Sequence, residues 1–359
     1  MDFSMKDTYR NYVETVSGGK NTVIYDQHGN PNIMVIINRF TNDYLGFGTG
    51  THPAFIVGDK EVDEIFIGKY KACIGNGGAG ASIPGVEIAG NMTLNSSREA
   101  AAKAGDGFHL ITNAEIAAVA LLSWKNGYIF NFNKPKKRGF MDDGCSEECR
   151  GIAGYAHDLC SHDGSQFGVF DMGTVGGWEW CDGVKIVNNE IFVHGIDGKP
   201  CNHAGYEDAP DDMTHFISLK RYLDARSAGD EDGNNRAILT DKPVTSANNA
   251  SCACPMNATR YEHIGTVPNE VRQLAIYPPD DRTDISYGGV WISTGYGERN
   301  DYPVSYRRCY RCGSDSMSRA GLFSIAPEIS IAADDSEFLY FRGFRIAYIP
   351  GIKQGKGWA

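Results

Sequence analysis

The sequence predicts an α+β fold of short strands, two main helices and much irregular loop. Composition is the first indication: 43 glycines, 18 tyrosines and 17 phenylalanines in 359 residues are typical of many turns joined by short strands. The second is a set of apolar runs of strand length that are bounded by turn residues. The third is a pair of helix starts with capping residues, each followed by a glycine stop. A chain of this length can bury a sizeable core and could hold two domains.

The first strand signal is a hairpin near the N-terminus. Apolar residues on both sides of a Gly-Asn-Pro turn at 29–31 predict two antiparallel strands within 23–37. On this basis we expect residues 1–45 to form an N-terminal hairpin or attachment arm, and residues 46–359 to form the main domain. A further strand is predicted at 65–70, where it would open that domain.

Two helices are predicted from their ends. Capping boxes at 96–99 and 112–115 place a hydroxyl and a carboxylate where they can bond the first N–H groups of a helix. Gly105 and Gly127 are the corresponding stop residues. Residues 115–125 are apolar almost all round, so the second helix is expected to be buried against a sheet and not to line a ligand site.

Two polar regions interrupt this series of elements. Residues 139–168 are rich in Gly, Asp, Ser and His, and residues 196–260 are polar around an acidic run at 230–235. Both are predicted to be loop insertions that cover the surface of the domain. Between them, 184–193 is predicted to be a hairpin, because its Asn-Asn turn tolerates positive φ.

The charge and the distribution of apolar residues argue against a nucleic-acid partner and against membrane insertion. The formal net charge of −11 and the pI near 5.3 argue against nucleic-acid binding, because phosphate contacts need a basic face and the one basic run is at 134–138. No stretch approaches the roughly 18 to 20 apolar residues that span a bilayer. The first residues lack the charged and apolar regions of a signal peptide, so we expect synthesis in a cytoplasm and no membrane insertion.

The ten cysteines are expected to be mostly small buried thiols, because their spacing is irregular and no secretory signal accompanies them. A cluster that contains Cys145, Cys149, His157, Cys160 and His162 offers possible zinc ligands, but its separations fit no common zinc module. An incidental group of Cys and His in a loop is therefore the favoured interpretation.

The run Trp178-Glu179-Trp180 predicts a strand that sends both indoles to one face and the carboxylate to the other. A buried carboxylate needs a cation or a hydrogen-bond donor, and the two candidates are Arg345 and a calcium ion. Phosphate-loop, nucleophile-elbow and HExxH motifs do not occur in the sequence.

Five segments carry a resemblance to a known family. In chain order they are 110–116 (LITNAEI), 171–180 (DMGTVGGWEW), 311–314 (RCGS), 320–323 (AGLF) and 343–345 (GFR). Together they resemble the formylglycine-generating-enzyme-like branch of the C-type lectin fold. Within that branch they resemble the variable proteins of diversity-generating retroelements, many of which are phage receptor-binding proteins. The resemblance runs from roughly residue 30 to residue 350.

The resemblance implies a ligand-binding protein and not an enzyme. In the resembled enzymes two copper-binding cysteines follow the Arg-Gly-Gly-Ser corner, whereas Met317 and Leu322 stand at those positions here. Without thiolates there is no soft-metal site for such an oxidation. An oxidoreductase that uses Cys309 and Cys312 is the alternative hypothesis.

The resemblance also implies which residues bind. A structural calcium ion at Asp171 and Glu179 is one implication, and no cofactor is otherwise required. The implied ligand contacts lie between the fixed corners of the C-terminal segment, whereas Ile325, Ile329 and Ile331 are assigned to the core. These contacts are Asp315, Ser316, Met317, Ser318, Arg319, Ser324, Ala326, Glu328, Asp334, Asp335, Glu337, Phe338 and Tyr340.

A partner and a location follow from the same resemblance. The expected ligand is a host cell-surface protein or glycan, and the expected setting is the virion, on a phage tail to which the N-terminal region attaches. A homotrimer is expected by analogy, and several copies would add avidity to individually weak contacts. A binding protein displayed on a bacterial cell surface is the alternative.

Overall fold

The computed structural model describes residues 5–90, 92–127, 159–161, 167–171, 178–203, 213–226, 236–243, 250–284, 287, 289–294, 301–302, 305–308, 322–327 and 342–352. Within these ranges the protein is a mixed α+β structure, with few helices and with many short strands in small sheets. The predicted fold class is confirmed at that level.

The helices of the described residues are α1 (Met5–Val16), α2 (Asn42–Leu45), α3 (Leu94–Ala102), α4 (Asn113–Lys125) and α5 (Asn269–Gln273). The first strands are β1 (Asn21–Tyr25), β2 (Pro31–Asn38), β3 (Ile56–Val57), β4 (Lys60–Glu61), β5 (Glu64–Gly68), β6 (Cys73–Ile74), β7 (Gly80–Ala81) and β8 (Phe108–Leu110). The central strands are β9 (Leu159–Ser161), β10 (Val169–Asp171), β11 (Trp178–Trp180), β12 (Val184–Val187), β13 (Glu190–Ile196), β14 (Lys199–Pro200), β15 (Phe216–Arg226) and β16 (Arg236–Thr240). The last strands are β17 (Ala250–Pro255), β18 (Tyr261–Ile264), β19 (Gly289–Thr294), β20 (Asp301–Tyr302), β21 (Ser305–Arg308), β22 (Ile325–Pro327), β23 (Arg342–Phe344) and β24 (Ile346–Tyr348).

The first sheet joins the two ends of the chain. Its five strands have the order β1-β2-β5-β24-β8, so the C-terminal strand β24 lies between β5 and β8. The predicted hairpin is confirmed, with β1 and β2 paired antiparallel. Because β2 also pairs with β5, the boundary predicted at residue 45 falls between strands of one sheet. The hairpin is therefore part of the main fold and not a separate arm.

Helix α1 is an element that the sequence patterns above do not predict. It packs against the first sheet through Val13, which shares a small apolar cluster with Val23 and Ile33. Much of its remaining surface is exposed, including the side chains of Met5 and Tyr12. The helix thus lacks the broad buried apolar stripe by which such an element is recognised in a sequence.

The two predicted helices are confirmed, with one correction to a start. The Thr112 side chain caps α4 by accepting from the Glu115 N–H, and Glu115 accepts in return from the Thr112 N–H. The cap of α3 is Thr93 and not a residue of the predicted box, and Ser96 takes the return position. A serine hydroxyl thus performs the role that the prediction gave to the carboxylate of Glu99. Helix α4 is buried along most of its length, as predicted.

A seven-stranded sheet follows, in the order β18-β16-β15-β13-β12-β20 with β14 paired to β13. The β12–β13 hairpin is confirmed, and its turn residues have positive φ, 50° at Asn188 and 65° at Asn189. The prediction of a loop insertion at 196–260 was wrong where the structure has the strands β15, β16 and β17, at 216–226, 236–240 and 250–255. Leu223 of β15 and Leu239 of β16 are paired and each is 1% exposed. Because a half-buried strand alternates apolar and polar residues, its average composition resembles that of a loop.

A six-stranded sheet has the order β17-β19-β22-β21-β11-β23. The predicted Trp-Glu-Trp strand, β11, pairs antiparallel with β21 and parallel with β23. Of the other predicted insertion, 139–168, the structure describes 159–161 and 167–168. Strand β9 at 159–161 pairs with β10, which begins at Val169 just beyond the predicted insertion.

One apolar core serves the three large sheets. Its buried members come from each of these sheets and from α4, and they include Val35, Ile116, Val193, Leu239 and Ile325. Because burial of each such side chain contributes about 1.5 to 3 kcal/mol, this shared core holds the sheets together. None of the helices in the described ranges is long and apolar enough to cross a membrane.

Four cysteines whose side chains the structure describes agree with the prediction of buried thiols. Cys73, Cys181, Cys201 and Cys254 are each shielded from solvent. Burial raises the pKa of Cys201 to about 12, so this thiol stays protonated at neutral pH.

Candidate binding face

The candidate site is built on one end of the six-stranded sheet. The strand registers place Trp178 opposite both Arg308 and Arg342, and Ile325 opposite Arg307, the neighbour of Arg308. We call the end of the sheet that contains Trp178, Arg308, Ile325 and Arg342 the Arg308 end. It consists of the termini of β11, β21, β22 and β23, which are adjacent in the sheet.

Strand termini that flank both predicted ligand-contact segments in the chain lie at the Arg308 end. The chain between β21 and β22 leaves after Arg308 and returns at Ile325. The chain between β22 and β23, 328–341, leaves from the opposite end of the sheet and returns at Arg342. Three strand termini that flank the two segments therefore lie together at one end of one sheet.

A buried ion pair braces these strands. Arg345 Nε and Nη2 donate to the two carboxylate oxygens of Glu179 at 3.1 and 2.7 Å. Arg345 Nη1 also donates to the carbonyl oxygens of Gly68 and Lys69, at 2.7 and 2.8 Å. The side chains of Arg345 and Glu179 are 2% and 1% exposed. The guanidinium thus ties β11 to the end of β5 in the first sheet, and the predicted Arg345 partner of Glu179 is confirmed.

Calcium is the other partner expected for Glu179. Because both carboxylate oxygens accept hydrogen bonds from Arg345, a calcium ion at this residue would have to displace the guanidinium. Asp171, the implied second ligand, ends β10 and lies opposite Leu159 of β9. Among the side chains that the structure describes, no group of three or more His, Cys, Asp or Glu converges as metal ligands would.

Aromatic packing completes the frame beside the ion pair. Trp180 is 2% exposed, and its indole N–H donates to the Met92 carbonyl at 2.7 Å. Phe344 is fully buried in the same apolar cluster. A Cβ on Gly80 would lie 2.7 Å from the Phe344 ring, so this close approach of backbone to ring requires a glycine. Gly343 and Phe344 are both buried, as residues of the structural frame.

The structure describes two of the predicted ligand contacts. Ser324 is fully buried, so its side chain does not reach solvent in this conformation, and Ala326 lies in β22 opposite Tyr306. Ile325, between them, is buried as expected for a core residue. The remaining contacts lie outside the described residues, together with Cys309 and Cys312; they are Asp315, Ser316, Met317, Ser318, Arg319, Glu328, Asp334, Asp335, Glu337, Phe338 and Tyr340.

A second group of polar residues, not predicted above, contains three buried histidines. The ring centroids of His109 and His203 are 4.7 Å apart, and those of His194 and His203 are 5.5 Å apart. All three side chains are less than a tenth exposed. We call His109, His194 and His203 the histidine cluster. Their positions in the chain follow no ligand spacing, so only the packing of β8, β13 and the segment 201–203 brings them together.

A hydrogen-bond network links the histidine cluster to the start of α4. Glu115 Oε1 accepts from His109 Nε2 at 2.9 Å and from Asn202 Nδ2 at 3.0 Å. The Thr112 hydroxyl donates to Asn202 Oδ1 at 2.6 Å. His194 Nδ1 donates to the Asn202 carbonyl at 2.8 Å. The capping residues of α4, which the sequence does predict, therefore also belong to a long-range polar network.

The carboxylates around the cluster are paired with cations. Arg98 Nε and Nη2 donate to the two oxygens of Asp182 at 2.8 and 2.7 Å. Burial alone would raise the pKa of the Asp182 carboxyl, but the Arg98 guanidinium holds that pKa well below its usual range. Burial likewise lowers the pKa of His109, but the adjacent Glu115 carboxylate outweighs it and raises that pKa overall. His109 and Glu115 thus form a buried charge pair.

The comparisons with known proteins do not add a relative: no family model matches the chain, and no curated protein matches it significantly. The two sites therefore have to be interpreted from their geometry. The histidine cluster is enclosed by packed side chains and does not face solvent. The Arg308 end, by contrast, brings together the strand termini Arg308, Ile325 and Arg342.

Proposed function

We propose that this protein is a non-enzymatic ligand-binding protein with a C-type lectin fold of the formylglycine-generating-enzyme-like branch. Its ligand-binding surface is formed by the two C-terminal segments that adjoin the Arg308 end. One observation carries the proposal: three of the four strand termini that flank these segments lie side by side at the Arg308 end, and the buried Glu179–Arg345 pair ties β11 to the first sheet.

A rigid support favours binding by variable side chains. Association loses less free energy to ordering when the residues that make contact are mounted on a preorganised scaffold. The predicted contacts offer acidic groups, the cation of Arg319 and aromatic rings such as Tyr340. Aromatic side chains supply a large contact area at a low cost in conformational entropy. A surface of this kind suits a macromolecular ligand better than a small substrate.

The proposed ligand is a host cell-surface protein or glycan, and the proposed setting is a phage tail. The resemblance to variable proteins of diversity-generating retroelements supports both. In that setting the protein acts as a homotrimer that is attached through its N-terminal region, and its copies bind with avidity. Display on a bacterial surface is the alternative setting. The binding function requires no cofactor, and a calcium ion would be structural.

The experiment measures binding by the whole protein before and after changes in the two segments. Fluorescently labelled protein is applied to a glycan array and to a panel of intact bacterial cells. For the glycan or strain that binds, Tyr340→Ala and Arg319→Ala are each expected to weaken binding about tenfold or more, because aromatic and arginine anchors dominate interfaces. Melting temperatures are expected to stay unchanged.

Two substitutions of the same kind serve as controls. Tyr44 and Arg282 are exposed residues outside the C-terminal segments, with 47% of Tyr44 and 53% of the Arg282 side chain accessible. Tyr44→Ala and Arg282→Ala should therefore leave binding unchanged. The proposal is wrong if all four variants bind equally well. A lower melting temperature for Tyr340→Ala would assign that residue to the core.

A genomic observation tests the diversification separately. The gene is expected to have beside it a near-copy of its last coding segment and a reverse transcriptase gene. The two copies should differ mainly at adenines of the template, at codons for the proposed contacts. If the gene lacks these neighbours, diversification by a retroelement is excluded. Ligand binding is still tested by the assay described above.

A further inference from the structure

The histidine cluster lies where five parts of the chain meet. His109 comes from β8, Glu115 from α4, His194 from β13, and His203 from the segment 201–203. The fifth part is the chain around β3, which this segment contacts through an isolated bridge between Val57 and His203. A change at the cluster would therefore affect how several elements dock against one another.

Hydrogen bonds attach the segment 201–203 to two other parts of the chain. The Asn202 N–H donates to the Ile56 carbonyl at 2.8 Å, and the Gly58 N–H donates to the His203 carbonyl at 2.7 Å. Asn202 Nδ2 donates to the Ala54 carbonyl at 2.8 Å as well as to Glu115. These bonds join the segment both to the chain at 54–58 and to the start of α4.

The charges that face the cluster act in both directions on its protonation. His109 is paired with Glu115, and Asp182 is paired with Arg98, so both nearby carboxylates are engaged. The Lys185 ammonium lies 4.4 Å from the centre of the Phe216 ring, and the His194 ring lies 4.8 Å from the same ring. A proton added to His203 would be repelled by the charge of His109 and attracted by Asp182, and a proton added to His194 would be attracted by Asp182 and repelled by Arg98 and Lys185. Burial of the two rings is therefore the main obstacle to their protonation.

We propose that the histidine cluster is an acid-sensitive switch: it keeps the segment 201–203 docked on α4 and on the chain at 54–58 at neutral pH, and releases it in mildly acidic solution. Release of the segment exposes the imidazoles of His203 and of His194 beneath it to water, where each can accept a proton. The proposal concerns the described core of the protein and does not depend on the identity of the ligand.

The direction of the pH effect follows from proton uptake. Burial lowers the pKa of His194 and of His203 from the ordinary value of 6.5, and the neighbouring histidines lower that of His203 further. The docked state thus binds fewer protons than the released state below pH 6.5, so docking is retained above this pH and is lost as the pH falls. The pKa of His109 is raised, so its contribution grows as the pH falls toward 6.5 and is complete below that value, where it no longer opposes the loss from His194 and His203.

Hydrogen exchange of the intact protein tests the switch. Protection of the Gly58 and Asn202 amides is compared at pH 7.0 and 5.5, after correction for the intrinsic pH dependence of exchange. Each excluded proton weakens docking by up to about tenfold per pH unit, so we expect the two protection factors to fall by about tenfold to a hundredfold. The amides of β2 should keep their protection. Equal protection at both pH values for Gly58 and Asn202 would overturn the proposal.

A pair of variants checks that the histidines cause the effect. His203→Phe keeps an aromatic ring at the centre of the cluster but removes one titratable group, so the loss of protection at pH 5.5 should be about tenfold smaller than in the unmodified protein. His28→Phe makes the same change at an exposed histidine and should leave the loss unchanged. The proposal fails if the His203→Phe protein loses protection as steeply as the His28→Phe protein. Should His203→Phe not fold, the exchange data on the unmodified protein decide the matter alone.

Discussion

At the scale of single residues, Arg345 determines how the candidate binding face is supported. Its guanidinium satisfies both oxygens of Glu179 and two backbone carbonyls on another sheet. A charge removed from water is costly unless it is paired, so the two members of the pair depend on each other. The pairing was predictable because a buried carboxylate needs a cation, whereas the contacts to Gly68 and Lys69 have no local sequence signal.

We expect Glu179→Gln to destabilise the protein by about 3 to 5 kcal/mol, because it leaves the Arg345 guanidinium buried without its counter-charge. The measurement is the free energy of unfolding from urea denaturation. Glu61→Gln is the matched control, since Glu61 pairs with Arg39 where the two side chains are 51% and 38% exposed. That change should cost less than about 1 kcal/mol. Similar losses for the two variants would contradict the role given to the buried pair.

At the scale of elements, the helix caps show how a local signal acquires a long-range role. Both α3 and α4 begin with a threonine whose side chain accepts from the third residue of the helix. Thr93 is exposed, whereas Thr112 is fully buried and also donates to Asn202. The same capping chemistry is thus local in one helix and part of the core network in the other.

Substitution of the two caps should separate these contributions. Thr93→Ala is expected to cost about 0.5 to 2 kcal/mol through the loss of the cap alone. Thr112→Ala should cost about 1 to 3 kcal/mol more, because the buried Asn202 oxygen then loses a hydrogen-bond donor. Thermal denaturation of the two variants measures the difference. Equal costs would mean that the Thr112–Asn202 bond adds nothing to stability.

At the scale of the whole molecule, the C-terminal strand completes the N-terminal sheet. Among the strands that the structure describes, β24 joins β5 to β8 in that sheet, and Ile346 and Ala347 are fully buried. We therefore expect the first and last parts of the chain to fold together. The C-terminal segments thus precede a strand, β24, that is paired within the N-terminal sheet.

A chain that ends at residue 341 is therefore expected not to fold. It would lack β23, β24 and Arg345, and would leave unpaired edges on β5 and β8. Circular dichroism melting and limited proteolysis should show no cooperative transition and rapid digestion, whereas the full chain should unfold in one transition. A truncated protein that still melts cooperatively would show that the N-terminal part is a separate unit.

The sequence by itself determined the features that depend on near neighbours. The β1–β2 hairpin, the Asn188-Asn189 turn, the cap of α4 and the Trp-Glu-Trp strand all follow from backbone preferences and from side-chain alternation over a few residues. The strands β15 and β16 were not predicted, because their alternating pattern lies within a polar region.

Only the tertiary structure decided which distant parts meet. The place of β24 between β5 and β8, the contact of Arg345 with the end of β5, and the gathering of His109, His194 and His203 join residues that are far apart in the chain. Backbone pairing is nearly independent of residue type, and burial is a property of the assembled core. Neither strand pairing nor burial can therefore be predicted from the residues next to a position in the sequence.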